Sequence, residues 1–143
     1  MSTITSANSK FVLSSADLSI LSVQIEGYAT DDSFAVDAAD TAENVLGVDG
    51  KMSSGWIPRM YKMTVSLQAD SSSRKIFDII AQAQDVAKDV YKLNGVITLP
   101  SIGKMYTLTN GVLTNYKPIP DAKKTLGPTS YVITWESIQP MTI

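Results

Sequence analysis

Residues 61–84, YKMTVSLQADSSSRKIFDIIAQAQ, switch hydrophobic period from two to 3.6 within a few positions. Tyr61, Met63, Val65 and Leu67 alternate with Lys62, Thr64 and Ser66, so an apolar face opposes a polar one and a half-buried strand is expected. Asp70, Ser71 or Ser72 can then accept hydrogen bonds from the free amides of a helix's first turn. Ile76, Ile79, Ile80, Ala83, Ala87 and Val90 follow at spacings of three and four, which predicts one helix over residues 72–90. Arg74 and Asp78 are placed to pair at i, i+4 on its exposed side. Asn94-Gly95 is expected to stop the helix or turn the chain beyond it.

Strand patterns flank this unit on both sides. The apolar pattern begins at Phe11, and Leu21, Val23 and Ile25 alternate with polar neighbours. Phe34–Val36 and Asn44–Val48 read as short strands around an acidic, alanine-rich loop. Asp49-Gly50 is a two-residue hairpin signal, because a type I′ turn needs positive φ at both central positions. Gly55 is expected to loosen the chain before Trp56, and Pro58 to break it. GVITLP reads as a short strand, and KMYTLT and VLTNY flank Asn110-Gly111, a second hairpin signal. After the loop IPDAKKTLGP, Tyr131, Ile133 and Trp135 line one face of a last strand. Strands, one helix, then strands predict an α+β, mainly β fold: a β-sandwich or partly open barrel with a single flanking helix. At 143 residues it forms one domain, with residues 1–9 as a mobile arm and 10–143 as the folded part.

The residue inventory removes much chemistry. With neither cysteine nor histidine, the chain has no disulfide, no Cys/His zinc site, no cysteine nucleophile and no Ser–His pair. Ser72-Ser73-Arg74-Lys75 matches S-x-x-K, but the companion motifs are missing and helix capping explains the serines. Gly50-Lys51 lacks the upstream glycine and the following Ser/Thr of a phosphate loop. Asp37, Asp40 and Glu43 do not reproduce a calcium-loop spacing. The chain therefore reads as a non-enzyme with no catalytic, metal or cofactor residues. No apolar run reaches a membrane span, and the polar N-terminus lacks the features of a secretory signal.

Charge is segregated. Residues 1–50 carry eight acids (Asp17, Glu26, Asp31, Asp32, Asp37, Asp40, Glu43, Asp49) against Lys10, whereas residues 51–143 carry six acids and eleven Lys/Arg. Such asymmetry points to an interaction surface more than to a pocket, the bland alternative being a solvated acidic edge. The bases are too scattered, with too few aromatics between them, for specific nucleic-acid binding.

GVDGKMSSGWIPRMYKMTVSLQADSSSRKIFDIIAQAQ resembles the pattern of phage tail tube proteins, especially those of contractile-tailed phages. In these, a strand reaches a G-x-D-G turn, a glycine-rich segment leads to a T-V-x-L strand, and a Ser/Thr-capped helix follows. Gly47, Asp49, Gly50, Thr64, Val65, Leu67 and Ser71–Ser73 match it, and NGVITLPSIGKMYTLTNGVLTNYKPIPD and SYVITWES occupy the expected order, so the resemblance spans residues 18–138. It implies hexameric rings stacked into the inner tube of a contractile tail, made in the host cytoplasm and resident in the virion. The implied partners are further copies of the chain, the sheath, baseplate and tail-terminator proteins, and genomic DNA passing without specific binding, with no membrane. Asp31, Asp32, Asp37, Asp40, Glu43 and Asp49 become candidates for the lumen or the ring-stacking surface, since carboxylates there would repel phosphate. Lys51, Met52, Trp56 and Arg59 become candidates for an inter-subunit loop, with Ala29 to Arg59 expected to order on assembly. The tube of a related secretion or injection machine, a tail terminator and a small β-rich ligand-binding module are the alternatives.

Overall fold

In a computed structural model, residues 9–15, 20–25 and 34–142 are described. The predicted arm falls almost wholly outside them, as do Asp31 and Asp32. The chain forms β1 (Lys10–Ser15), β2 (Ile20–Gln24), β3 (Phe34–Val36), β4 (Ala42–Leu46), β5 (Met52–Trp56), β6 (Tyr61–Leu67), α1 (Arg74–Ala87), β7 (Leu93–Leu99), β8 (Lys104–Asn115) and β9 (Thr129–Thr142). Seven strands make one antiparallel sheet in the order β2-β1-β7-β8-β9-β6-β3, and β4 and β5 pair only with each other.

Where one face of a strand must be dry, alternation places the side chains. Met63, Val65 and Leu67 of β6 are fully buried, as are Tyr131, Ile133 and Trp135 of β9 beside them. Phe11, Leu13, Leu93, Ile97 and Leu108 extend the same core across β1, β7 and β8. The sheet curls strongly: Phe11 on the second strand meets Phe34 on the seventh, with ring centroids 6.2 Å apart. Yet β2 and β3, the two edges, share no hydrogen-bonded ladder. The result is a rolled, unclosed sheet, the partly open barrel that the pattern predicts.

The helix covers one end of the roll. Phe77 stacks face to face on Tyr131 at 4.4 Å, and Ile80 and Ala81 are buried beside it. It is shorter than the predicted 72–90 and rotated about its axis. Ile79 and Ala87, expected on the core face, are exposed, Val90 lies beyond the helix's end, and Phe77 takes the centre. The N-cap is Ser73, not Asp70, Ser71 or Ser72 as expected, and Ser71 Oγ accepts the Ser73 amide at 3.2 Å in the turn just before the helix. Arg74 and Asp78 do not pair with each other. The Arg74 guanidinium donates to the Ala69 carbonyl and the Tyr131 hydroxyl, and Asp78 accepts the Tyr116 hydroxyl. A left-handed Lys88 (φ 52°) ends the helix, so Asn94-Gly95 is free to lie inside β7.

Asn110-Gly111 makes no hairpin either. Both residues lie within the continuous strand β8, where a register shift against β7 and a left-handed Asn110 (φ 49°) mark a bulge. Before the bulge the even-numbered Leu108 is buried with Tyr106 packed against the core, and after it the odd-numbered Gly111 and Leu113 are buried, so the bulge keeps both halves of a twelve-residue strand facing the core.

Candidate assembly surfaces

The predicted loop residues converge on a hairpin. β4 and β5 run antiparallel with Ala42 opposite Trp56 and Leu46 opposite Met52, which makes Gly55 part of a strand and not a loosened loop. Its tip is not the expected type I′ turn. The Gly47 amide donates to the Lys51 carbonyl at 2.8 Å, leaving three residues between, and of Asp49-Gly50 only Gly50 has positive φ (82°). Asp49 Oδ1 accepts the Lys51 amide at 3.1 Å, stiffening the tip. This is the three-residue loop in which a turn is followed by one left-handed glycine.

Every residue of both hairpin strands is exposed. One face carries Leu46, Met52 and Trp56 around an Asn44–Ser54 hydrogen bond, and the other carries Glu43 and Val45. Trp56 is 74% exposed and Val48, at the tip, wholly so. An isolated two-stranded hairpin is marginal in water, and a cluster of exposed large apolar side chains marks a contact surface. Asp37, Asp40, Glu43 and Asp49 are all exposed in or beside this hairpin. Glu43 and Asp49 thus share the hairpin with Lys51, Met52 and Trp56, whereas Asp37, whose amide donates to the Lys62 carbonyl, and Asp40 lie in the segment before it. Arg59 departs from them: it is half-buried at the hairpin's base, its Nε donating to the Tyr61 hydroxyl at 2.7 Å.

The opposite end of the molecule carries a surface that the sequence did not flag. The turn after β6 and the loop 117–128 enclose a concavity of about 710 Å³, where Lys123 and Lys124 stand near Leu126 and Pro128. A Lys117–Asp121 ion pair of 2.9 Å and a Gly127 amide bond to the Asp121 carbonyl shape the loop. Lys117 holds the Asp121 carboxyl below its usual range, chiefly through that hydrogen bond. A predominance of lysine in IPDAKKTLGP was the one available signal, and without the fold nothing ties it to residues 68–70.

A family described as tail fiber protein gp32 matches residues 2–139. The chain belongs to that family. It is one of phage tail proteins, as the resemblance implies, although its description names a fiber and not a tube. No curated protein matches this family member in sequence. In fold, it is similar to a chain of the anti-feeding prophage baseplate at a TM-score of 0.63 and 9% identity, over 99% of this chain and 98% of the other. A chain of the sheath-tube complex of an extracellular contractile injection system, PVC, matches at 0.60 and 13% identity, over 94% and 89%. One from the PVC sheath/tube terminator matches at 0.57 and 11%, over 93% and 94%. The family member thus shares the fold of components of contractile, tail-like machines over nearly its whole length.

Proposed function

We propose that this tail protein is the tube subunit of a contractile tail, forming stacked hexameric rings around a lumen through which DNA leaves. The observation that carries this reading is the incompleteness of the described chain: among the described residues the rolled sheet has two unpaired edges, and nothing covers the apolar residues of the hairpin. A ring answers the first, because neighbouring copies can continue the sheet until no edge is left. Stacked rings answer the second. The likeness to a chain of a sheath-tube complex supports the same assignment. On this reading the sheath surrounds the tube, baseplate and terminator proteins bound it, and the acids between Asp31 and Asp49 serve the lumen or the stacking surface. The likeness to a terminator chain gives the second reading, a ring that does not polymerise.

Negative-stain microscopy of the purified protein over a range of concentrations separates the two. Hollow tubes that lengthen with concentration are the expected result. Single rings at every concentration would select the terminator reading, and a strictly monomeric particle would overturn both.

A further inference from the structure

The two surfaces described above are complementary and lie at opposite ends of one strand. The hairpin leads into the start of β6 through Ile57–Met60, and the lysine-lined concavity begins at Gln68, immediately after β6 ends. Seven extended residues set these ends about 20 Å apart. From Asp37 to Trp56 there are four carboxylates against Lys51 alone. At the other end the charged residues lining the concavity are Lys123 and Lys124 with Asp70. Asp121 is already taken by Lys117, and among the described residues neither Lys123 nor Lys124 has an ion-pair partner. Shape agrees with charge. The tip is narrow and apolar at Val48, while the concavity is roomy enough for a few side chains and offers the exposed Leu126 and Pro128.

We infer that the hairpin tip of one copy seats in the Lys123–Lys124 concavity of the next, with Val48 against Leu126 and Asp49 beside the two lysines. The inference rests on the tube reading and names the receiving surface of its stacking contact. Because donor and receiver are different patches on the same chain, the contact is heterologous and leaves a free donor and a free receiver after every addition. Such a contact closes into a ring where its rotation returns to the start and otherwise propagates without limit, and a stack of rings requires the second. Apolar burial at Val48 supplies affinity, and the opposite charges set direction: hairpin to hairpin or lysine to lysine, the pairing is repulsive.

The chain has no native cysteine, so disulfide trapping is clean. Val48→Cys copies are mixed with Leu126→Cys copies under mild oxidation, and both positions are exposed, so neither substitution disturbs the core. The expected product is a dimer holding one copy of each, with the double variant giving a ladder of multimers. Adding Lys123→Glu and Lys124→Glu lowers the yield at least about tenfold, and Asp49→Lys on the donor copy recovers it. Val48–Val48 dimers alone, or no linkage, overturns the contact. Hollow tubes without linkage overturn the contact and leave the tube reading standing. Linkage in a preparation of solid or single-file polymers keeps the contact and overturns the tube.

Discussion

A side chain at position 111 would lie inside the indole of Trp135, whose six-membered ring covers the Gly111 backbone. Gly111 is therefore required by a close approach, while its neighbour Asn110 supplies the left-handed backbone of the bulge. Gly111→Ala should cost about 1–3 kcal/mol through overpacking, read as a lower urea midpoint with an unchanged slope. The dipeptide was legible as a special backbone site, but its use was not, since the same two residues serve a turn and a bulge. Tyr116 is the other informative residue. Burial, then its hydrogen bond to Asp78, pushes its phenol up to about 12 from 10.0. A folded-state pKa above the unfolded one means that the folded protein holds this proton more tightly. Its contribution is thus complete below pH 10 and is lost as pH rises towards 12. The melting temperature should fall over that window, and Tyr116→Phe should flatten the fall relative to the parent.

At the scale of elements, α1 shows how a correct helix can be read with the wrong face. Its sequence holds two apolar stripes, Ile76, Phe77, Ile80 and Ala81 towards the sheet and Ile79 and Val86 away from it. Spacing alone cannot choose between them, and the sequence reading mixed the two. Ile80 is fully buried and Ile79 is 54% exposed. Ile80→Ala should therefore cost about 2–5 kcal/mol and Ile79→Ala under about 0.5 kcal/mol, a contrast that urea denaturation of the two variants measures. Strands β6 and β9 were readable because one face is dry and the other wet. The hairpin β4–β5 was half-readable: with both faces in water, nothing forces alternation, and Gly55 looked like a break. The acids of the candidate site stood out as a local run. Its receiving surface did not, because Gln68 and Lys123 are brought together only by the fold.

The whole molecule combines two parts held together in different ways. The rolled sheet and α1 share one continuous core, in which Trp135 reaches Gly111 and Gly95 and Tyr131 bridges the sheet to Phe77. The β4–β5 hairpin contributes no residue to that core. Among the described residues, nothing closes the roll or covers the hairpin. This division has a consequence for how such proteins diverge. Substitutions at Gly111, Trp135 or Ile80 are filtered by folding before any assembly takes place. Substitutions at Val45, Val48 or Met52 are not, so they are filtered only by the company the chain keeps. Lineages can therefore rewrite the hairpin at the pace at which their partners change, while the roll beneath it drifts slowly. Comparison of descendants should find the two rates written side by side in one chain.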